Sequence, residues 1–220
     1  MRSILVVNPK GGSGKTTVAT NLAGALAARH GEVLLWDLDR QQSALTWLSM
    51  RPSHVPRIVR LDRREDDPGR INAKRDWLVI DSPAGLHGKS LSHTLKHADK
   101  VVVPVQPSVF DMAATSAFLQ ILLEEKAVRR SKALVGVIGV RVDPRTRAAA
   151  TLEAFLQQFD LPVLTYLRDS QIYPNAAFNG MSIFDLPPYV AAREQEHWQP
   201  VIEWLRVDSD QGASSGPVSA

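Results

Sequence analysis

Short apolar runs and stretches of helical period alternate along the chain. Ile4-Leu5-Val6-Val7 is the first run; hydrophobic at every position, it predicts a strand buried on both faces of a parallel sheet. Val18, Leu22, Ala25 and Leu26 follow at spacings of four, three and one, which marks one face of a helix. The alternation then recurs. Strands are predicted over 32–37, 57–61, 77–80, 100–106, 133–140 and 161–164, and helices over 43–50, 148–159 and 187–206, with another opening after Pro107. In the last helix Val190, Trp198, Val201, Ile202 and Leu205 suit packing on the sheet. Five or six parallel strands alternating with helices define the fold class, a single-domain, doubly wound, mostly parallel α/β sheet flanked by helices. It is expected to occupy residues 1–207. Residues 51–75, rich in Arg, Asp and Pro, predict loop and one helical turn around the short strand; Asp208 to Ala220 lacks apolar bulk and predicts a disordered tail.

Between the first strand and its helix lies Asn8-Pro9-Lys10-Gly11-Gly12-Ser13-Gly14-Lys15-Thr16-Thr17. Gly11, Gly12 and Gly14 let the backbone curl and bring its N–H groups against an anion. The helix beginning near Lys15 adds its dipole and free N–H groups at the same point. Lys15 can reach the β- and γ-phosphates of a nucleotide, and the Thr16 hydroxyl can ligate Mg²⁺. Pro9 stands where the strict G-x-x-x-x-G-K-[ST] pattern wants glycine, so the better description is K-G-G-x-G-K-T-T with a second lysine, Lys10. A Gly-rich turn with two solvated lysines is the bland alternative; strand, loop, lysine, hydroxyls and helix all argue against it. Two more strands end in acids. Asp37 and Asp39 follow the second, at the carboxyl edge where open α/β sheets bind ligands, or else form a solvated turn. Asp81 closes Trp77-Leu78-Val79-Ile80, a Walker B signal for a carboxylate that holds Mg²⁺ through water, or else Asp81-Ser82-Pro83 is an ordinary turn.

Lys10 to Thr17 resembles the deviant Walker A loop of the ParA/MinD group of P-loop ATPases, and the resemblance extends over about 200 residues. It implies ATP and Mg²⁺ as cofactors and an ATP-sandwich homodimer in which Lys10 reaches the partner's nucleotide. Gly11, Gly12, Ser13, Gly14, Lys15, Thr16 and Thr17 would then hold the phosphates; Thr16, Asp37 and Asp81 would surround the metal; Lys10, Lys15 and Asp39 would serve catalysis, Asp39 near the attacking water. Arg40 departs from the family's D-x-D-P-Q, which loosens that turn. Gly85 to Gly88 is the candidate for a second switch segment that the resemblance implies. Pro107-Ser108-Val109-Phe110-Asp111 resembles the turn that opens an interface helix, and implies pairing of Asp111 with Lys10; capping of that helix by Ser108 and Asp111 is the other reading. Arg168, Tyr173, Ala176, Gly180, Ser182, Ile183 and Phe184 resemble the C-terminal signature of small ParA proteins, which by analogy frames the adenine.

Composition narrows the choices. The 220 residues include no cysteine, so disulfides, thiolate metal sites and Cys-ligated iron–sulfur clusters are excluded, and with them the nitrogenase iron protein of related fold. No apolar run approaches the length of a transmembrane helix, no export signal is seen, and a cytoplasmic, nucleoid-associated location is expected. Net charge is +3, and seven basic residues cluster between Lys126 and Arg147 (Lys126, Arg129, Arg130, Lys132, Arg141, Arg145, Arg147) against one acid, Asp143. Arg145, Arg147 and Arg168 are the candidate contacts to non-specific DNA, with Arg129, Arg130 and Lys132 behind them. The chain opens on its first strand, so no operator-reading helix-turn-helix is expected. The function this implies is an ATPase, slow until stimulated, that partitions or positions a plasmid, chromosome locus or protein assembly with a ParB-like or cargo-adaptor partner. A MinD-like switch acting on a protein or membrane partner without DNA is the alternative, though 208–220 lacks the basic amphipathic helix that binds membranes. A small-molecule enzyme of the dethiobiotin synthetase kind has no need of Lys10.

Overall fold

Ile4 and Val6 pack on one face of the sheet and Leu5 and Val7 on the other, as the two-residue period of a strand requires, and each pair meets its own hydrophobic layer. The computed structural model describes residues 1–61 and 77–207. In chain order the elements are β1 (Arg2–Val6), α1 (Lys15–His30), β2 (Val33–Asp37), α2 (Ser43–Ser49), β3 (Ile58–Arg60), β4 (Trp77–Asp81), α3 (Gly88–Leu95), β5 (Lys100–Val105), α4 (Val109–Glu124), α5 (Lys126–Arg129), β6 (Leu134–Val142), α6 (Arg147–Leu156), β7 (Val163–Arg168), α7 (Ile172–Ala177), a 3₁₀ turn (Ile183–Asp185) and α8 (Pro188–Arg206). The strands form one wholly parallel sheet in the order β3-β2-β4-β1-β5-β6-β7. Side chains of α1, α2, α7 and α8 join one core with Ile4, Leu35 and Val79; those of α3, α4 and α6 join the other with Leu5, Ile80 and Val103.

This is the doubly wound sheet expected; among the described residues each of the seven runs predicted as strands joins it, so the short run at 57–61 counts with the rest. Of the loop and helical turn predicted over 51–75, residues 62–75 lie outside those residues, as does the tail at 208–220. β7 runs to Arg168, four residues past the expected end at Leu164, because it follows β6 to its carboxyl end. Gly136 and Gly139 allow that pairing to pack closely: a Cβ at Gly139 would come 2.4 Å from Tyr166.

One expectation changes form. The basic run 126–147 is divided by β6, so Lys126, Arg129, Arg130 and Lys132 precede that strand while Arg141, Arg145 and Arg147 sit at its far end. Nine residues of extended chain span about 26 Å. The two groups face opposite ends of the sheet, so they cannot form one continuous anion surface.

The segment 180–185 ties the two helices beside the phosphate loop together. Gly180 has φ 63°, and a Cβ there would lie 2.3 Å from the Met50 carbonyl carbon at the end of α2. A Cβ on Gly24 of α1 would fall 2.0 Å from the Ser182 hydroxyl. Asn21 Oδ1 accepts the Ile183 N–H at 2.9 Å, and Trp47 Nε1 donates to the Met181 carbonyl at 3.2 Å. Arg51 and Asp185 close the clamp with two bonds of 2.8 Å, both side chains buried. Gly180, Ser182 and Ile183 of the C-terminal signature are therefore structural.

Candidate functional site

The parallel order brings the carboxyl ends of β1, β2, β4 and β5 to one edge, with Val6, Asp37 and Asp81 in register. The loop 8–14 leaves β1 at the middle of that edge. Gly12 and Gly14 have φ of 76° and 89°, conformations that a side chain disfavours. Asn8, fully buried, fixes the start of the loop: its Nδ2 donates to the Pro104 carbonyl (2.9 Å) and Thr115 Oγ1 (3.0 Å), and its Oδ1 accepts the Lys10 N–H (2.9 Å). Gln106 Nε2 donates to the Gly12 carbonyl. Neither residue was singled out from the sequence; a polar residue directly after an apolar strand was the available signal.

The two lysines part company. Lys15, at the start of α1 and only 7% exposed, donates to the Lys10 carbonyl at 2.8 Å and faces Ser13 Oγ at 3.4 Å. Burial lowers its pKa, against the pull of Asp81 and Asp39. Lys10 points elsewhere, to Asp111 Oδ2 at 2.5 Å. Asp111 is buried in the first turn of α4, and Ser108 makes no side-chain cap. Of the two readings of that turn, the ion pair is the one found.

Asp81 Oδ2 accepts the Thr16 hydroxyl at 2.8 Å, while its Oδ1 is buried without a partner. Asp37 spends its oxygens on the backbone: Oδ2 accepts from Ala44 (2.9 Å) and Leu45 (3.2 Å), Oδ1 from Asp39 (2.9 Å), so it fixes the start of α2. Asp39 Oδ1 accepts the Gln41 N–H at 3.0 Å. No cluster of three metal-ligating His, Cys, Asp or Glu exists among the described residues. An orphaned carboxylate oxygen beside a hydroxyl nevertheless fits a hard cation that takes its other ligands from phosphate and water, which is the habit of Mg²⁺.

Burial pushes the Asp81 carboxyl up from 3.8 to about 7, with Asp37 and Asp39 adding to the rise and Thr16 and Lys15 opposing it. Burial raises Asp37 as well. The unfolded chain releases the Asp81 proton near pH 4 and the folded chain near 7, so the folded state holds the extra proton in between. The nucleotide-free protein is expected to lose stability as pH rises through that window, by ~1.4 kcal/mol per unit, and to level off above it. Thermal melts across the window check this; Asp81→Asn should flatten the slope, and an unchanged slope in that variant assigns it to other groups.

A cavity of about 600 Å³ opens from Gly14 and Thr16 toward Val140, Arg141, Arg168 and Phe178. Arg141 has φ 55°, at the irregularity that ends β6. Arg168 lines the cavity and lies 3.6 Å from Glu194 of α8. Tyr173, also on the wall, accepts from the buried Trp198 Nε1 at 3.1 Å. Arg145 is exposed and held by Asp143 through two bonds of 3.0 Å; Arg147 is exposed at the start of α6. The loop residues, Asp81 and Asp39 thus surround one site, with Arg168 on its wall and Arg145 and Arg147 beyond the same sheet edge.

A phosphate loop with an orphaned acid on the next strand defines a P-loop nucleotide-binding protein. Residues 4–183 match the model of the CobQ/CobB/MinD/ParA nucleotide binding domain, and the chain belongs to that family. It is 31% identical over 216 residues to the maintenance of carboxysome distribution protein A of Gloeobacter kilaueensis, covering 94% of this chain and 95% of the relative. It is 30% identical over 190 residues to the chromosome-partitioning ATPase Soj of Thermus thermophilus, covering 71% and 76%. The fold matches that of a Borrelia burgdorferi protein assigned to plasmid partition and bound to AMPPNP, with TM-score 0.69, 19% identity and coverage of 92% and 99%.

Proposed function

We propose that the chain is an ATP-driven positioning ATPase that closes as a homodimer around nucleotide, binds DNA without sequence preference, and places a cargo on the nucleoid. The observation that carries this reading is the Lys10–Asp111 pair. A phosphate-loop lysine that does not enter its own loop is available to a second copy, and its side chain, 37% exposed, needs only to leave one carboxylate. The relatives named for carboxysome distribution and chromosome partition support the cargo-placing role.

In the proposed cycle Lys15 and the N–H groups of Gly11 to Thr17 hold the phosphates, and the partner's copy of Lys10 neutralises charge on the transferred phosphoryl group. Thr16 and Asp81, with Asp37 behind them, would hold Mg²⁺, which supplies further positive charge to the phosphates. Asp39 orients a water whose oxygen attacks the γ-phosphorus; the bond to the β-phosphate oxygen breaks and ADP leaves. Arg145 and Arg147, with Arg168 at the cavity wall, contact DNA phosphates in the closed form. A ParB-like or cargo-adaptor protein speeds hydrolysis and so reopens the dimer. Among the described residues no helix is long and apolar enough to cross a membrane.

Light scattering and gel shifts test both halves. With ATPγS and Mg²⁺ the parent should dimerise and retard random-sequence DNA; Lys10→Ala should still bind nucleotide but stay monomeric and off DNA. Arg145→Ala with Arg147→Ala should reduce the salt slope of DNA affinity by about 0.9 per lost contact. Dimerisation of Lys10→Ala as in the parent would refute the trans role. A parent that dimerises yet ignores DNA would favour a switch acting on a protein partner.

A further inference from the structure

Gln106 follows directly on β5, the strand beside β1 on the side away from β4 and Asp81. Its Nε2 donates to the Gly12 carbonyl at 2.5 Å. A peptide group is planar, so the Gly12 C=O and the Ser13 N–H point in opposite directions. Holding that carbonyl on Gln106 turns the Ser13 N–H away from β5. Ser13 is fully buried, yet among the described residues no protein acceptor takes its N–H. Its hydroxyl is occupied, donating to the Lys10 carbonyl at 3.0 Å.

This peptide is easy to turn over. Gly12 lies in the left-handed region at φ 76°, and glycine crosses between backbone regions at little steric cost. A flip would present the Gly12 carbonyl where the Ser13 N–H had been, and a carbonyl oxygen repels phosphate. Asn8 does not prevent this, because its bonds reach Pro104, Thr115 and the Lys10 N–H, two residues upstream.

We infer that Gln106 is a positioning residue for phosphate binding: it holds the Gly12–Ser13 peptide with the Ser13 N–H free for a nucleotide phosphate oxygen. The inference rests on the loop being the nucleotide site. It makes β5 a support of the anion cradle, whereas β4 supports the metal side.

Gln106→Ala and Gln106→Glu separate the chemistry from the fold. Glutamate keeps the size of glutamine but, ionised, offers only acceptors to the Gly12 carbonyl. Its protonated carboxyl donates again. The charged groups of the loop, the start of α1 and the first turn of α4 are Lys10, Lys15 and Asp111, all unchanged between the parent and the variants. Affinity for a fluorescent ADP analogue with Mg²⁺ is measured for each protein at about pH 8 and about pH 5. Relative to the parent, Gln106→Ala should bind about tenfold more weakly at both. Gln106→Glu should be weaker still at the higher pH and recover toward the parent at the lower. Melting temperatures without nucleotide should match. Parent-like affinity in both variants, or a Gln106→Glu deficit indifferent to pH, overturns the inference while leaving the site intact. A parent that binds no nucleotide removes the site and the inference together.

Discussion

Lys15→Ala is expected to weaken nucleotide binding by about two to four powers of ten while leaving the empty protein no less stable. Two charge-assisted hydrogen bonds to phosphate account for the first number, at roughly 1.5–3 kcal/mol each. The site would also gain phosphate charge beside Asp81, Asp39 and Asp37 with one fewer cation to offset it. The second half follows from the direction of the pKa shift. Burial lowers the Lys15 pKa, so holding its charge costs stability below the unfolded value of 10.5, and removing the charge relieves that cost. Asp81 is tolerant of the change because near neutral pH it is already half protonated, with a value of about 7. Calorimetry with ADP and Mg²⁺, beside melts of the nucleotide-free protein, checks both. Binding within tenfold of the parent would remove Lys15 from the phosphate site. A large drop in melting temperature would make it a structural residue instead.

The same residue shows what a linear reading can and cannot recover. Lys15 was legible because its partners in the argument are local: a strand before it, glycines around it and a helix after it. Asp81 was legible for the same reason, as an acid ending an apolar strand. The fold class followed from period alone, since parallel strands buried on both faces are hydrophobic at every position. Asn8 and Gln106 were not legible, because their meaning lies in bonds to Pro104, Thr115 and Gly12, about a hundred positions away or on the adjacent strand. The basic run read as one cluster for the opposite reason: neighbours in sequence were separated by a strand nine residues long. Arg168 fell outside the strand predicted over 161–164, whereas in place it ends β7 and stands between the cavity and Glu194.

Asp185→Ala is expected to cost about 3–5 kcal/mol of folding stability, the largest structural effect of any single change considered. Asp185 accepts two bonds from Arg51 and, through Oδ2, two more of 2.7 Å from the Ser182 N–H and hydroxyl. Removing it strands a guanidinium that is 5% exposed and leaves Ser182 unpaired against Gly24. Arg51→Met in the same chain removes the stranded charge, so the double variant should recover part of the loss although a further contact is gone. Urea denaturation of the two singles and the double completes the cycle. The consequence reaches the site because the clamp joins α1, which carries Lys15 and Thr16, to α2, whose first turn is held by Asp37. A loosened clamp should therefore weaken nucleotide binding in Asp185→Ala even where the variant is folded. Additive losses across the cycle would mean that the pair's charges are satisfied by water, and that 180–185 steadies the two helices through the Gly24 and Gly180 contacts alone.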